Sequence, residues 1–480
     1  LDQLAEEGTV MRNQYVVSPV STPSRFNCLT GLFASRAQNK TFLRNTKQAG
    51  GQTVVRWNSH ITPKTPTFPE MLQENGYTTG AVGKNHVIQV PDFYKAPWDA
   101  DPTDPEIKSK LQANAKKIRK AYQKSGFDFA ERIYYNNPDG NGAKELAVHN
   151  MDWITEGGLQ FIEQNQDRPF FLYFATTLPH GPHGKDRSWG ADRRKTPLGY
   201  LDEPMNLLLS QEEIKQRLED SGIDLPENDF KYNSKANLLW LDDALAALNE
   251  KLEKLGIAEN TIIFFFNDHG QNAKGTIYQG GVRNPSLVWK KGGFATGDDA
   301  FTRVSNIDFA PTILDMAGVD YSEDTFDGKS FLPVLNGDPD PIHESLYFEM
   351  GYTRGILKGD MKYLALRYPE KAQNMSLKER KKRLERLNSN LRRRGYEPMT
   401  EDPTEPFSHN SLIPGGGHAE HKSTGEKPNY YDHDQLYNIH KDPMELHNLA
   451  EDPAYDQELK QMQDELRDYI DELPGHFKLK

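Results

Sequence analysis

Three stretches of the chain repeat one pattern of apolar and polar positions: an amphipathic run, a polar turn, then a short apolar run. TFPEMLQENGYTTGAV, Thr67 to Val82, reads as a helix, a turn and a strand. GLQFIEQNQDRPFFLYFATTLPH follows the same order, with PFFLYFATT as a buried strand. NLLWLDDALAALNEKLEKLGIAENTIIFFFNDHG predicts a long amphipathic helix, a stop at Gly256 and the strand TIIFFF. Helices alternating with short apolar strands predict an α/β fold: a mixed, mostly parallel sheet sandwiched by helices. Polar residues gather just past these strands, at Lys84-Asn85-His86, Pro179-His180 and Asn267-Asp268-His269-Gly270. Open α/β sheets place their ligands there.

The pattern changes after about Pro341. HESLYFEM and MKYLALRY read as short strands and DQELKQMQDELRDYIDEL as a terminal helix. The expected division is therefore a catalytic domain over 1–340 and a smaller C-terminal α+β domain over 341–480, with antiparallel strands. A basic insertion occupies roughly 370–428: the helical stretch SLKERKKRLERLNSNLRRRGYEP, then a Gly/His/Pro-rich loop to about Pro428. The opening LDQLAEEGTVMRN reads as an amphipathic helix, and no signal peptide is visible.

Length and charge narrow the classes. A chain of 480 residues is expected to form two packed domains. The net charge of −12 argues against nucleic acid as a partner, so an anionic substrate needs a local basic pocket. TIIFFF falls far short of the ~20 apolar residues of a membrane span. The single cysteine, Cys28, excludes an internal disulfide and reads as a small buried apolar residue. The basic run at 378–394 reads first as a solvated face and second as a contact for an anionic polymer.

The candidate chemistry sits in five short segments. In SPVSTPSRFNCLTG, Ser21 is a loop hydroxyl, Pro23 stiffens the backbone and Arg25 offers a fork of donors for a tetrahedral oxyanion. Residues 24–30 open a helix whose N-terminus attracts negative charge. Lys84 and His86, two apart, would share one face of a strand. His180 and His183 lie between prolines directly after a buried strand, which suits a positioned acid or base. Asp268-His269 reads as a metal-ligand pair or a catalytic dyad. Lys274 follows six residues later, in a loop shaped by Gly280-Gly281 and Pro285. Together these residues describe a site for an oxyanion ester. Trp57, Tyr94, Trp98, Trp189 and Tyr396 are candidates for a sugar-facing surface, with ordinary packing as the commoner role.

In these segments the sequence resembles the type I, formylglycine-dependent sulfatases of the alkaline phosphatase superfamily, bacterial polysaccharide sulfatases among them. SPVSTPSRFNCLTG resembles their signature of Cys or Ser-x-Pro-x-Arg followed by Thr-Gly, and GYTTGAVGKNH their second signature. LPHGPH, NDHG, KGTIYQGGVRNP, NIDFAPTILDMAGV, DGKSFLPVL and DQLYNIHKDPMELHNLA match in order and spacing, over nearly the whole chain except roughly 90–125 and 370–428.

The resemblance implies an alkaline-phosphatase-like fold and a role for each matched position. Ser21 stands where a separate maturation enzyme oxidises Cys or Ser to formylglycine, whose hydrated aldehyde is the nucleophile; Ser21 is native there or replaces a cysteine. A plain serine lacks the second hydroxyl that expels sulfate. Arg25 and Lys84 would steady the nucleophile, and His86 would take the proton that drives sulfate release. His180 and Lys274 would bind sulfate and protonate the leaving oxygen, with His183 beside them as a substrate-binding residue. Asp268, His269 and the group at Ser21 would hold a calcium ion. The family's upstream Asp-Asp metal pair falls before LDQLAEEG, so the N-terminal strand is expected to be missing from this chain. The implied activity is a sulfuric ester hydrolase acting on a sulfated carbohydrate, periplasmic or secreted, with no nucleic-acid or membrane partner. The alternatives are a phosphonate or phosphodiester hydrolase of the same superfamily, and a catalytically silent module that holds sulfated glycans.

Overall fold

In the computed structural model the chain divides into two units interleaved along the sequence, and residues 1–338, 340–393, 395–398, 400–405 and 426–479 are described. The first unit comprises Leu1–Gly8, Thr62–Ile263 and Trp289–Phe294, and the second Thr9–Ile61, Phe264–Val288 and Ala295–Lys480. Most of the Gly/His/Pro-rich loop expected before Pro428 lies outside the described residues.

The first unit is built on the strand Thr78–Lys84, flanked in parallel by Phe129–Tyr134 and Phe170–Ala175. Its lead-in helix, Phe68–Glu74, starts where the Thr67 side chain accepts from the Glu70 amide, with Pro69 in the first turn. Gly83 has φ +86, and a Cβ there would stand 1.9 Å from the Ala175 carbonyl oxygen. Only glycine lets the central strand close on its neighbour at that point. The helix Met151–Gln164 is capped by Asn150, whose oxygen accepts from the Trp153 amide at 3.0 Å. Met151, Trp153 and Ile154 pack with Val82, Tyr134, Trp189 and Trp240. Trp189 is thus a core residue rather than a sugar platform, and its indole N–H is satisfied by Asn233 at 2.7 Å. Beneath this cluster the buried Asp152 pairs with Arg193 at 3.0 Å and accepts from the amides of Leu207 and Leu208 and from Trp240. The charge is buried because it is fully partnered.

In the second unit, Thr9–Met11 pairs parallel with Asp299–Ala300 and antiparallel with residues 286–288. The amphipathic helix expected across the first thirteen residues is therefore shorter, ending at Glu7. Thr9 and Met11 are fully buried, and long-range pairing on both edges overrides local periodicity there. The C-terminal part forms an antiparallel sheet of Ser345–Met350, Thr353–Lys358, Met361–Leu366 and Asp434–Asn438, in that order. On it lies the helix Asp456–Glu472, whose Met462 and Leu466 pack with Tyr347, Ile356 and Tyr363. The fold is thus mixed α/β with an antiparallel C-terminal sheet, as the sequence pattern predicts. Among the described residues no helix is long and apolar enough to cross a membrane.

The helix Ser21–Thr30 is buried along its whole length. It ends at Gly31 with φ +66, where a Cβ would stand 2.5 Å from the Phe326 ring. The Thr30-Gly31 pair has a mechanical reason: Thr30 bonds back to the Phe26 carbonyl at 2.7 Å, and only glycine turns the chain there without a clash. Burial pushes the Cys28 thiol up to about 12, so this cysteine is an inert apolar residue.

Candidate active site

Ser21, Arg25, Asp268, His269 and Lys274 belong to the second unit; Lys84, His86, His180 and His183 belong to the first. Each group is described within its own unit.

Ser21 is the first residue of its helix, not a loop residue as the sequence suggests, and is 3% exposed. Pro23 is compatible with this because the first-turn amides have no acceptor inside the helix. Arg25, one turn on, directs Nε and Nη2 at Asp268 Oδ2, at 3.2 and 3.1 Å. The frame around Ser21 is held by Asn306, a residue that lies in a matched motif but drew no role from sequence. Its carboxamide accepts from the Val17 amide and donates to the Ser24 carbonyl and hydroxyl, at 3.0–3.1 Å. The Lys274 loop is tied to the same turn, the Gly275 amide donating to the Pro19 carbonyl at 3.1 Å. Gly270 and Gly281 permit close backbone crossings beside it: a Cβ on Gly270 would meet the Gly280 oxygen at 2.2 Å. Burial lowers the Lys274 ammonium from its ordinary value, with Asp268 opposing.

Asp268 supplies an oxygen donor of the kind a calcium ion takes, and His269 sets a nitrogen donor beside it. His269 is buried, and its Nδ1 lies 2.9 Å from the Gly270 carbonyl, which can only accept. The hydrogen therefore sits on Nδ1, and Nε2 turns its lone pair towards Asp268 Oδ1, 3.4 Å away. Two electron-pair donors side by side suit a cation, while Oδ2 serves Arg25. Among the described residues no group of three or more His, Cys, Asp or Glu side chains converges on one point. This pair is a fraction of the six to eight ligands (roughly) that calcium takes.

In the first unit Lys84 ends the central strand and is 3% exposed. His86 lies beyond the strand with φ +61, so the two do not share a strand face as expected. Asn85 makes the turn between them. Its oxygen accepts from the Val87 and Ile88 amides and its nitrogen donates to the Ile88 carbonyl, at 2.8–3.2 Å. His180 follows Phe170–Ala175, with cis peptides at Leu178-Pro179 and Gly181-Pro182. Its Nδ1 donates to the Gly181 carbonyl at 3.0 Å, which leaves Nε2 as the acceptor, 3.2 Å from Asn137 Nδ2. The tautomer that results keeps Nε2 as the nitrogen that exchanges a proton. His183 packs its ring edge-on to Phe230, and burial lowers its pKa.

His149 completes this histidine group and went unnoticed in the sequence, because nothing local separates it from a core residue. It is 1% exposed and holds Thr177 Oγ1 through Nδ1 at 2.8 Å. Burial, then the nearby His180, His183 and Arg187, push its pKa down to about 3, against a smaller opposing contribution from the Pro182 carbonyl. The folded protein keeps this ring neutral while the unfolded chain protonates it below its ordinary value. Its contribution to stability is therefore present above about pH 6.5 and is lost as pH falls towards 3. We expect about 2 kcal/mol less stability at pH 5 than at pH 7 from this residue. Urea unfolding of the wild type and His149→Gln at both pH values checks it; an equal pH loss in both proteins would exclude His149 as the source.

The family model for sulfatases matches residues 1–319 of the 480. The chain belongs to the sulfatase family. A second model, N-sulphoglucosamine sulphohydrolase, C-terminal, matches residues 267–390 of this sulfatase-family chain. Human N-acetylglucosamine-6-sulfatase is 27% identical over 380 residues, covering 70% of this chain and 60% of that protein. The chain spans about three fifths of the length of the curated relatives it matches. Among solved structures, one in complex with its substrate D-glucosamine-2-N,6-O-disulfate is 18% identical with TM-score 0.56, covering 98% of this chain and 91% of that one. The phosphonate monoester hydrolase of Agrobacterium radiobacter is 15% identical with TM-score 0.57, covering 99% and 91%. These two likenesses establish the fold.

Proposed function

We propose that the protein is a sulfuric ester hydrolase that removes sulfate from a sulfated carbohydrate, in the periplasm or outside the cell. The observation that carries this reading is Ser21 at the start of a buried helix, one turn from an Arg25 that is itself fixed on Asp268. A helix N-terminus and a guanidinium favour an anionic ester at that hydroxyl. The sugar follows from the human relative, a 6-sulfatase of N-acetylglucosamine, and from the disulfated glucosamine bound by the structural neighbour.

The roles are proposed residue by residue, with residues 1–340 as the catalytic part and 341–480 as its C-terminal subdomain. Arg25 and Lys84 steady the nucleophilic oxygen, and His86 takes a proton from it. Lys274 and His180, the latter once protonated at Nε2, would give a proton to the leaving alcohol oxygen, and Lys274, His180 and His183 would bind the sulfate. A maturation enzyme would remove two hydrogens from Ser21, a two-electron oxidation, to give formylglycine, whose hydrated aldehyde would offer one hydroxyl as nucleophile and a second to release sulfate. A calcium ion held by Asp268, His269 and the group at position 21 would withdraw charge from the sulfate oxygens.

The same fold in a phosphonate monoester hydrolase favours the second reading, hydrolysis of phosphonate or phosphodiester substrates. One experiment separates them. Mass spectrometry of the tryptic peptide from Asn13 to Arg25 reports the state of Ser21, formylglycine being lighter by about two hydrogen masses. The matured protein is then assayed in parallel on sulfated glucosamines and on phosphonate esters. Sulfate release is expected to dominate, and a faster phosphonate reaction would overturn the proposal.

A further inference from the structure

The helix Leu377–Arg393 carries eight Lys and Arg against two Glu in a protein of net charge −12. It is two-faced. Leu384 and Asn388 are buried and Leu387 and Leu391 half-buried, and these recur at helical spacing along one side. Lys378, Lys382, Arg386 and Arg393 fall together on the opposite side, and all four are exposed. Lys378, Lys382 and Arg386 succeed one another at i,i+4 spacing over about 12 Å of helix.

Like charges at that spacing repel and weaken a helix, so a purely structural surface would alternate them with carboxylates. Some of the other cations on this helix are used internally. Arg392 pairs with Glu401, and Arg380 donates to the carbonyls of Gln373 and Met375. The outward row is different: among the described residues no carboxylate lies within ion-pair distance of Lys378, Lys382 or Arg386. Glu379 and Glu385 both stand three positions from Lys382; the Glu379 carboxylate is held by Ser376, and Glu385 borders the row.

We propose that this row, none of whose residues is assigned to the chemistry, is a docking surface for a sulfated polysaccharide chain. The inference deepens the reading above and rests on it for the identity of the polyanion. A linear row of point charges fits successive sulfates of one extended chain, whereas a monosaccharide sulfate can use one charge at a time. Holding the polymer raises the local concentration of its ester groups without any new contact at the reacting atoms. With an overall charge that repels polyanions, the attraction is local and falls steeply with salt.

The test uses the full chain carrying Lys378→Gln, Lys382→Gln and Arg386→Gln together, with Glu385→Gln as a second variant. Binding of dextran sulfate is measured across a salt series, and turnover is measured on a sulfated monosaccharide. The triple variant is expected to lose about tenfold in dextran sulfate affinity and to show a shallower salt dependence, with monosaccharide turnover unchanged. Glu385→Gln is expected to bind dextran sulfate more tightly. Unchanged dextran sulfate affinity in both variants overturns the proposal. So does a wild type that holds duplex DNA or anionic lipid vesicles as tightly as dextran sulfate. Absence of sulfate release from any substrate by the wild type would instead count against the hydrolase reading, since the binding assay does not depend on it.

Discussion

Ser21→Ala is expected to fold as the wild type does and to lose sulfate release by about 10⁴-fold or more. The two halves of that expectation have separate causes. Ser21 is the first residue of its helix, where alanine is well tolerated, and the helix is held by burial of all ten residues and by Asn306. The change in stability should stay within about 1 kcal/mol. The chemistry, by contrast, loses the side-chain oxygen, and with it the hydroxyl carbon that can be oxidised to an aldehyde. Arg25, Asp268 and the helix N-terminus remain, so the variant should still bind a sulfated sugar. Sulfate release and thermal unfolding measured on the same preparation check both halves. Residual turnover within tenfold of the wild type would remove Ser21 from the proposed role.

Glu445→Gln should be the most damaging single change away from the site, costing about 3–5 kcal/mol. Lys362 and Glu445 are both 0% exposed and pair at 2.8 Å. Burial lowers the Lys362 ammonium and Glu445 opposes it, so removing the carboxylate leaves a buried cation uncompensated. The same carboxylate accepts from the Gln279 amide at 2.6 Å, anchoring the short helix Gln279–Val282 just after Lys274. The loss should therefore appear as lower stability and as a weakened hold on the Lys274 loop. Replacing both partners, Lys362→Met with Glu445→Gln, should recover part of the stability. Urea midpoints for the single and double variants decide it; a single variant within about 0.5 kcal/mol of wild type would show the pair to be dispensable.

Much of the first unit was legible in the sequence because its information is local. The helix before Thr78, the second half of Met151–Gln164, most of Phe230–Lys254 and the strands after them follow from apolar spacing and end signals within a few residues. The failures share one cause. Thr9–Met11 is a strand only because neighbours far along the chain pair with both its edges. His86 leaves the strand because the Asn85 side chain closes a turn there, and a polar asparagine between two candidate site residues gave no warning of it. For Trp189 the sequence favours packing over a binding role, and the neighbours it meets in the core decide the matter.

By itself the sequence determined the mixed α/β class, the residue types of an oxyanion site and the signature around Ser21, since these depend on composition and short spacing. The tertiary structure decided the partnerships. Arg25 meets Asp268 across 243 residues, Asn306 reaches back 282 residues to Ser24, and Asn137 meets His180 across 43. It also decided that Ser21 begins a buried helix and that Lys362 can be charged in the core. Charge state, tautomer and the orientation of a guanidinium are set by whatever the fold packs alongside, and contacts at such separations leave no periodic trace in the chain.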